Sequence, residues 1–180
     1  MKNLVNEDLT ANAQHFPPVV PGTWDNAIGL AEGSWNSAPI SPDFLNWPQR
    51  PADVLIDVGP VQGDLRAGWV EFQPTSGNVI TAVLKLNTLV QVNPSQPLVA
   101  HELGHVLMLA HDGLNPDGTD PDPLEDLDQR CGNLPGGVYR VPQTIMDYDC
   151  YVSFGVTGPV NWDYCGANHK FQSGGSYSGC

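Results

Sequence analysis

Hydrophobic residues recur along the first part of the chain with a helical period. Apolar side chains follow one another at steps of three and four from Trp24 to Trp35, which is the spacing of one face of an amphipathic helix. Pro39 and Pro42 come shortly after this pattern and cannot continue a helix. The sequence therefore predicts a helix over about residues 24–35.

Three shorter runs between residues 52 and 88 have the pattern of strands. Residues 52–59 and 67–74 are apolar or alternating runs bounded by Gly and Pro, and residues 78–88 are β-branched and almost continuously apolar. The last run is the strongest strand signal of the chain. The polar, Pro-rich residues 1–23 predict an irregular arm instead.

A second helix is predicted after these strands. Ser95 is a suitable N-cap, Pro97 is tolerated in the first turn, and an apolar pattern of helical period continues as far as Met108. Residues 113–137 show no apolar periodicity and predict a long loop or an insertion. This order of elements predicts an α+β fold with most of its regular structure in the first 110 residues.

Length and charge narrow the class of protein further. A chain of 180 residues fits one domain, which can form two small lobes around a cleft. The formal net charge of −13 disfavours binding to nucleic acid or to anionic membranes. No apolar run is long enough to cross a membrane. We therefore expect a soluble protein that acts as a monomer.

The four cysteines indicate an oxidising compartment. Cys131, Cys150, Cys165 and Cys180 include no CxxC pair, so the spacing favours two disulfides over a structural zinc knuckle. Three pairings are possible, and the pairing of neighbours along the chain is one of them. The first ten residues do not have the composition of a signal peptide. We expect a secreted protein whose leader is absent from this chain.

The segment "AHELGHVLMLAHD" carries the most specific chemical signal. His101 and His105 are four residues apart, so a helix presents both imidazoles on one face, as two ligands of one metal ion require. Glu102 is adjacent and can take a proton from water beside that ion. Catalytic zinc has three protein ligands and one open position, and His111 is a candidate third ligand if the chain turns back after the helix.

Two other interpretations of this segment stay open. It can be an ordinary helix with incidental histidines, since the five-residue motif also occurs by chance. A zinc site can also take a later Glu as its third ligand, and Glu125 is the one Glu that follows the motif. That arrangement leaves His111 and the later run "TIMDY" without a role.

The segments "HELGHVLMLAH" and "TIMDY" together resemble the metzincin clan of zinc endopeptidases, whose signature is HExxHxxGxxH with a Met-containing turn downstream. The resemblance implies a role for six residues. They are the zinc ligands His101, His105 and His111, the general base Glu102, the Met-turn residue Met146, and Tyr148, which in some of these families lies near the zinc and stabilises the oxyanion.

The resemblance also implies a fold. It implies one metzincin-like catalytic domain over residues 1–180, with a mixed twisted sheet, two long helices and an irregular C-terminal subdomain. The N-terminal subdomain would span about residues 1–111 and the C-terminal one about residues 112–180. Residues 78–88 would be the edge strand above the cleft, where an extended peptide adds as one more strand.

One residue departs from the signature of the clan. Met108 stands where the clan has Gly, at the point where the helix ends and the chain turns towards the third ligand. A positive φ at this methionine would cost about 1–2 kcal/mol. Either the surroundings hold Met108 in that conformation or the turn is built differently.

The run that follows the third histidine is rich in Asp and Gly. Oxygen ligands on a turning backbone suit Ca²⁺, and Asp117, Asp120 and Asp122 are the first candidates for such a site. The alternative interpretation is a solvated acidic loop.

The predicted function of the protein is zinc-dependent hydrolysis of peptide bonds. The alternatives are a catalytically silent peptide- or partner-binding protein on the same fold and a calcium-dependent adhesion module.

Overall fold

In the part of the chain that it describes, the computed structural model shows two helices, in the N-terminal two thirds, packed on a mixed sheet, followed by short elements towards the C-terminus. The residues that the structure describes are 9–15, 23–37, 43–45, 53–72, 82–109, 111, 133–134, 138–139, 144–146, 155–161, 163–164 and 166–167. The predicted α+β class is confirmed at this level, with two helices and a sheet that contains both parallel and antiparallel pairs.

Both helices form where the sequence predicts them. Helix α1 spans Thr23–Trp35 and buries the apolar stripe that begins at Trp24. Helix α2 spans Gln96–Val106, and the Ser95 hydroxyl accepts a hydrogen bond from the Leu98 amide at 3.3 Å. This N-cap satisfies one of the amides that the first turn of a helix leaves without a partner.

Five strands form the main sheet in the spatial order β2-β1-β3-β5-β4. Strand β4 runs antiparallel to β5, and the other neighbouring pairs are parallel. The strands are β1 (Leu9–His15), β2 (Phe44–Leu45), β3 (Val54–Gly59), β4 (Gly68–Phe72) and β5 (Ala82–Asn87).

The core lies between one face of this sheet and the two helices. Val54, Ile56 and Val58 of β3 are fully buried, and they pair in register with the buried residues Ala82, Leu84 and Leu86 of β5. Alternate residues of both strands are half-buried on the opposite face. The indole N–H of Trp35 donates to the Ala100 carbonyl at 2.9 Å and joins α1 to α2.

Two predictions about the sheet are wrong. Strand β1 lies within residues 1–23, where an irregular arm was predicted. Its sequence "LTANAQH" alternates apolar and polar residues, but two of its three apolar residues are alanines, which are depleted in strands; pairing with β2 and β3 on both sides supplies its backbone hydrogen bonds. The predicted edge strand 78–88 contains β5, which lies in the interior between β3 and β4. Its continuous apolar character is typical of such a central strand.

Strand β4 is an edge strand of the described sheet and pairs with β5. Its burial falls along the strand, from half-buried Gly68 and buried Trp69 to exposed Glu71 and Phe72. The side facing away from β5 has no neighbouring strand among the described residues. Strand β4 therefore takes the position that the sequence assigned to residues 78–88.

The described C-terminal residues form small elements. Strands β6 (Asn133–Leu134) and β7 (Val138–Tyr139) pair antiparallel, and the described residues between 161 and 167 are helical. All four cysteines lie outside the described residues, so the disulfides stay a prediction, as does the division into subdomains. The helices in the described ranges are all too short or too polar to cross a membrane.

Candidate metal centre

Three imidazoles converge beside the C-terminal end of α2. His101 and His105 are one turn apart on the same face of the helix, and their ring centroids are 4.8 Å apart. The Nε2 atom of His111 lies 3.0 Å from Nε2 of His101 and 2.9 Å from Nε2 of His105. Within the described residues, this is the one group of three His, Cys, Asp or Glu side chains close enough to share a metal ion.

A tight turn after α2 brings His111 back to the helix. The Met108 amide donates to the His105 carbonyl at 2.9 Å, and the Leu109 amide donates to the Gly104 carbonyl at 3.1 Å. These two bonds are those of a Schellman motif, in which the residue after the C-cap has a left-handed conformation. Met108 takes this conformation with φ of 62°. The left-handed alternative considered for Met108 is therefore the one observed.

Backbone carbonyls set the orientation of two of the three rings. Nδ1 of His101 lies 2.6 Å from the Ile145 carbonyl oxygen, and Nδ1 of His105 lies 2.9 Å from the Leu109 carbonyl oxygen. A carbonyl only accepts, so each Nδ1 must carry the proton and donate it. In both neutral rings Nε2 then carries the lone pair, and this tautomer is the one that binds a metal ion through Nε2.

The geometry and chemistry of the three nitrogens fit a divalent cation such as Zn²⁺. Nitrogens that ligate one tetrahedral zinc at about 2.0–2.1 Å lie about 3.4 Å from each other, slightly farther apart than the pairs that involve His111. Burial and the neighbouring imidazoles His105 and His111 hold the pKa of His101 well below its usual value, which favours the neutral ring. Lone pairs directed at one point repel each other unless a cation lies between them.

Glu102 directly follows His101 on α2, and its carboxylate lies against Gly68 at the start of β4. Its side chain is buried, and its Oε2 atom has no hydrogen-bond partner within the described part of the chain. Burial raises the pKa of Glu102 to about 8, and the positive charge of Arg66 opposes part of that shift. Glu102 therefore holds a proton more readily than a glutamate at the surface does.

Met146 lies directly against α2. Thr144, Ile145 and Met146 are all buried, and the Met146 sulfur lies against Gly104 of α2. Because the Ile145 carbonyl accepts from His101, the same turn both packs against the helix and orients one ring. The turn therefore packs against the helix segment that carries two of the three histidines, and the Met-turn role of Met146 stays a prediction.

Asp163, which lies farther along the chain, binds the turn at residues 144–146 through its carboxylate. Its Oδ2 atom accepts hydrogen bonds from the Ile145 amide at 3.1 Å and from the Val160 amide at 2.8 Å. Asp163, Gly104 and the Leu109 carbonyl were not identified from the sequence. Asp163 and Gly104 belong to no local pattern of the sequence. The Leu109 carbonyl is a backbone group, and its position depends on the turn at Met108.

The remaining candidates lie outside the described residues. Tyr148, the calcium candidates Asp117, Asp120 and Asp122, and the alternative ligand Glu125 all belong to this group. Their roles stay predictions. Among the described residues, His111 is the third member of the cluster.

No model of a known protein family matches the chain, and a search of curated proteins finds no significant match either. The assignment of a function therefore depends on the chemistry of the site.

Proposed function

We propose that this protein is a zinc-dependent endopeptidase with a metzincin-like catalytic domain. The observation that supports it most is the convergence of three imidazole Nε2 atoms beside a buried carboxylate, Glu102, on the same helix. His101, His105 and His111 would hold the metal. A Met-containing turn directly beneath the helix adds support, because it is the second feature of the resemblance.

The residues of the site suit hydrolysis of a peptide bond. When bound, Zn²⁺ polarises the scissile carbonyl and lowers the pKa of water in its open position. Glu102 accepts the proton of the attacking water and then returns it to the leaving amine. Its burial keeps bulk water from competing for that proton, and Oε2 is available because no described residue occupies it.

The substrate would bind in an extended conformation along β4 instead of residues 78–88. Strand β4 lies at the described edge of the sheet, and its first residue, Gly68, lies against Glu102. A peptide paired with the outer side of β4 would add one strand to the sheet and pass close to the metal centre. Main-chain hydrogen bonds would then hold the substrate largely independently of its side chains.

The test combines elemental analysis of the purified protein with a casein-digestion assay. We expect about one zinc per chain, and proteolysis that a strong chelator abolishes and zinc restores. Glu102→Ala should keep its zinc and lose about a hundredfold to ten-thousandfold in kcat. Glu32→Gln, which neutralises a buried carboxylate on α1, is the matched control and should stay active.

Other outcomes of these assays would favour a different function or contradict the proposed one. Zinc binding by a wild-type chain that cleaves neither casein nor a peptide library would favour the silent binding protein. A wild-type chain without zinc would contradict the metal centre itself. Full activity of Glu102→Ala would refute the role of Glu102 as base.

A further inference from the structure

The carboxylate of Glu102 lies directly against the backbone of Gly68. A β-carbon added at position 68 would lie 2.8 Å from Oε1, 2.9 Å from Cγ and 3.0 Å from Cδ of Glu102. These separations are shorter than van der Waals contact allows. Any side chain at position 68 therefore competes with Glu102 for the same space.

The strand cannot move away to relieve such a clash. Gly68 pairs with Leu86 in the sheet, and the Ala67 carbonyl accepts from the Asn87 amide at 2.8 Å. Asn87 is fully buried, and its side-chain amide donates to the Asp64 and Val61 carbonyls, both at 3.1 Å. The beginning of β4 and the loop before it are thus held at several points.

The helix on the other side is fixed as well. Ala100 and Leu103 of α2 are fully buried in the core, and the Ala100 carbonyl accepts from the indole of Trp35. With both backbones held, the Glu102 side chain is the part that can move. An added methyl group would displace the carboxylate that the proposed mechanism uses.

We propose that Gly68 is a positioning residue for Glu102: the absence of a side chain at the start of β4 sets where the catalytic carboxylate lies. The inference rests on the proposed function, because it assigns Gly68 a role in the action of the base. Gly68 lies half-buried on the inner face of the sheet, opposite Leu86, so a methyl group there points towards α2 and not along the peptide-binding side.

The first test is the kinetics of Gly68→Ala on a peptide substrate. Because a displacement of about 1 Å at a reacting group costs up to about a hundredfold in rate, kcat should fall by about tenfold to a hundredfold. KM and zinc content should stay close to wild type. Gly33→Ala is the matched control, since a β-carbon at this exposed site on α1 meets nothing within 4 Å, and it should keep full activity.

The second test is a double-mutant cycle on stability, measured as Tm, which does not depend on activity. Gly68→Ala should lower Tm in the wild-type background and have little effect in the Glu102→Ala background, where the clashing atoms are absent. A Gly68→Ala chain that folds only in the Glu102→Ala background would equally support the inference. Equal loss of Tm, or failure to fold, in both backgrounds would overturn it.

Failure of the inference and failure of the proposed function give different results. An active wild-type protease with an equally active Gly68→Ala variant contradicts the positioning role alone. A wild-type chain without zinc-dependent hydrolysis contradicts the proposed function, whatever the cycle shows.

Discussion

The sulfur of Met146 occupies the space that a side chain at position 104 would need. Gly104 lies on α2 between the two helical histidines, so its lack of a β-carbon lets the methionine turn pack directly against the helix. The sequence shows both residues, but not that they touch. This contact joins the floor of the site to the helix that carries two of the three imidazoles.

Gly104→Ala is expected to destabilise the protein and to weaken zinc binding at the candidate metal centre. The new β-carbon would collide with the Met146 sulfur and lie 3.2 Å from Cζ2 of Trp35, and an overpacked core costs about 1–3 kcal/mol. Urea unfolding and zinc titration measure the two effects. Gly29→Ala is the control, since its β-carbon meets nothing within 4 Å. Equal stability of the two variants would contradict the packing argument.

Met108→Gly is expected to stabilise the turn that leads to His111. Met108 has a φ of 62°, where a side chain costs about 1–2 kcal/mol, so glycine relieves this strain in the folded state. Glycine also makes the unfolded chain more flexible, which offsets part of the gain in stability. The net gain should be about 0.5–1 kcal/mol in the free energy of unfolding, measured by urea denaturation. Met108→Ala keeps the unfavourable φ and should show no gain; an equal gain would mean that the exposed methionine side chain is the cause.

Much of the fold follows from local patterns in the sequence. The stripe from Trp24 to Trp35 and the cap at Ser95 both predict helices that the structure contains, because they depend on interactions within one turn or one face. The wrong predictions concern β1 and the edge of the sheet. Both depend on which strands become neighbours, and that is decided by contacts between distant parts of the chain.

In the candidate site, too, the features that depend on local spacing could be predicted and those that depend on distant contacts could not. The four-residue spacing of His101 and His105 places both side chains on one face of a helix, so their proximity could be predicted from the helix alone. The approach of His111 could be predicted only as a requirement, since the departure at Met108 left two ways to build the turn. The contacts of Gly68 with Glu102 and of Asp163 with Ile145 join segments far apart in sequence, and no local pattern signals them.

Asp163→Asn is expected to loosen the turn at residues 144–146, beside the candidate metal centre. Hydrogen bonds to a charged acceptor contribute about 1.5–3 kcal/mol, and Asp163 accepts two, from the amides of Ile145 and Val160. Because Ile145 also orients His101, the dissociation constant for zinc should rise by about tenfold, as measured by competition with a chelating dye.

The control for this variant is Asp25→Asn, which makes the same change at an exposed position of α1 and should leave zinc affinity unchanged. Loss of stability in Asp163→Asn without any change in zinc affinity would show that the turn does not transmit its position to His101.

Glu32 gives the stability of the fold a dependence on pH that does not involve the candidate metal centre. It is buried on α1, its Oε1 atom has no hydrogen-bond partner among the residues that the structure describes, and burial raises its pKa from 4.5 to about 7. Between these two values the folded state binds more protons than the unfolded state. The free energy of unfolding therefore falls as pH rises through this window, and the cost is fully present above about pH 7.

Glu32→Gln removes this titration and should stabilise the protein mainly at the higher pH. Relative to wild type, the gain in the free energy of unfolding should be about 1–3 kcal/mol at pH 8 and small at pH 5, because each unit of pKa shift corresponds to about 1.4 kcal/mol. Both proteins are unfolded with urea in their metal-free forms, so that proton competition for the imidazoles does not contribute through bound zinc. A difference between the two proteins that is the same at both pH values would mean that Glu32 gains no proton on folding, and that the burial of its carboxylate carries no energetic cost.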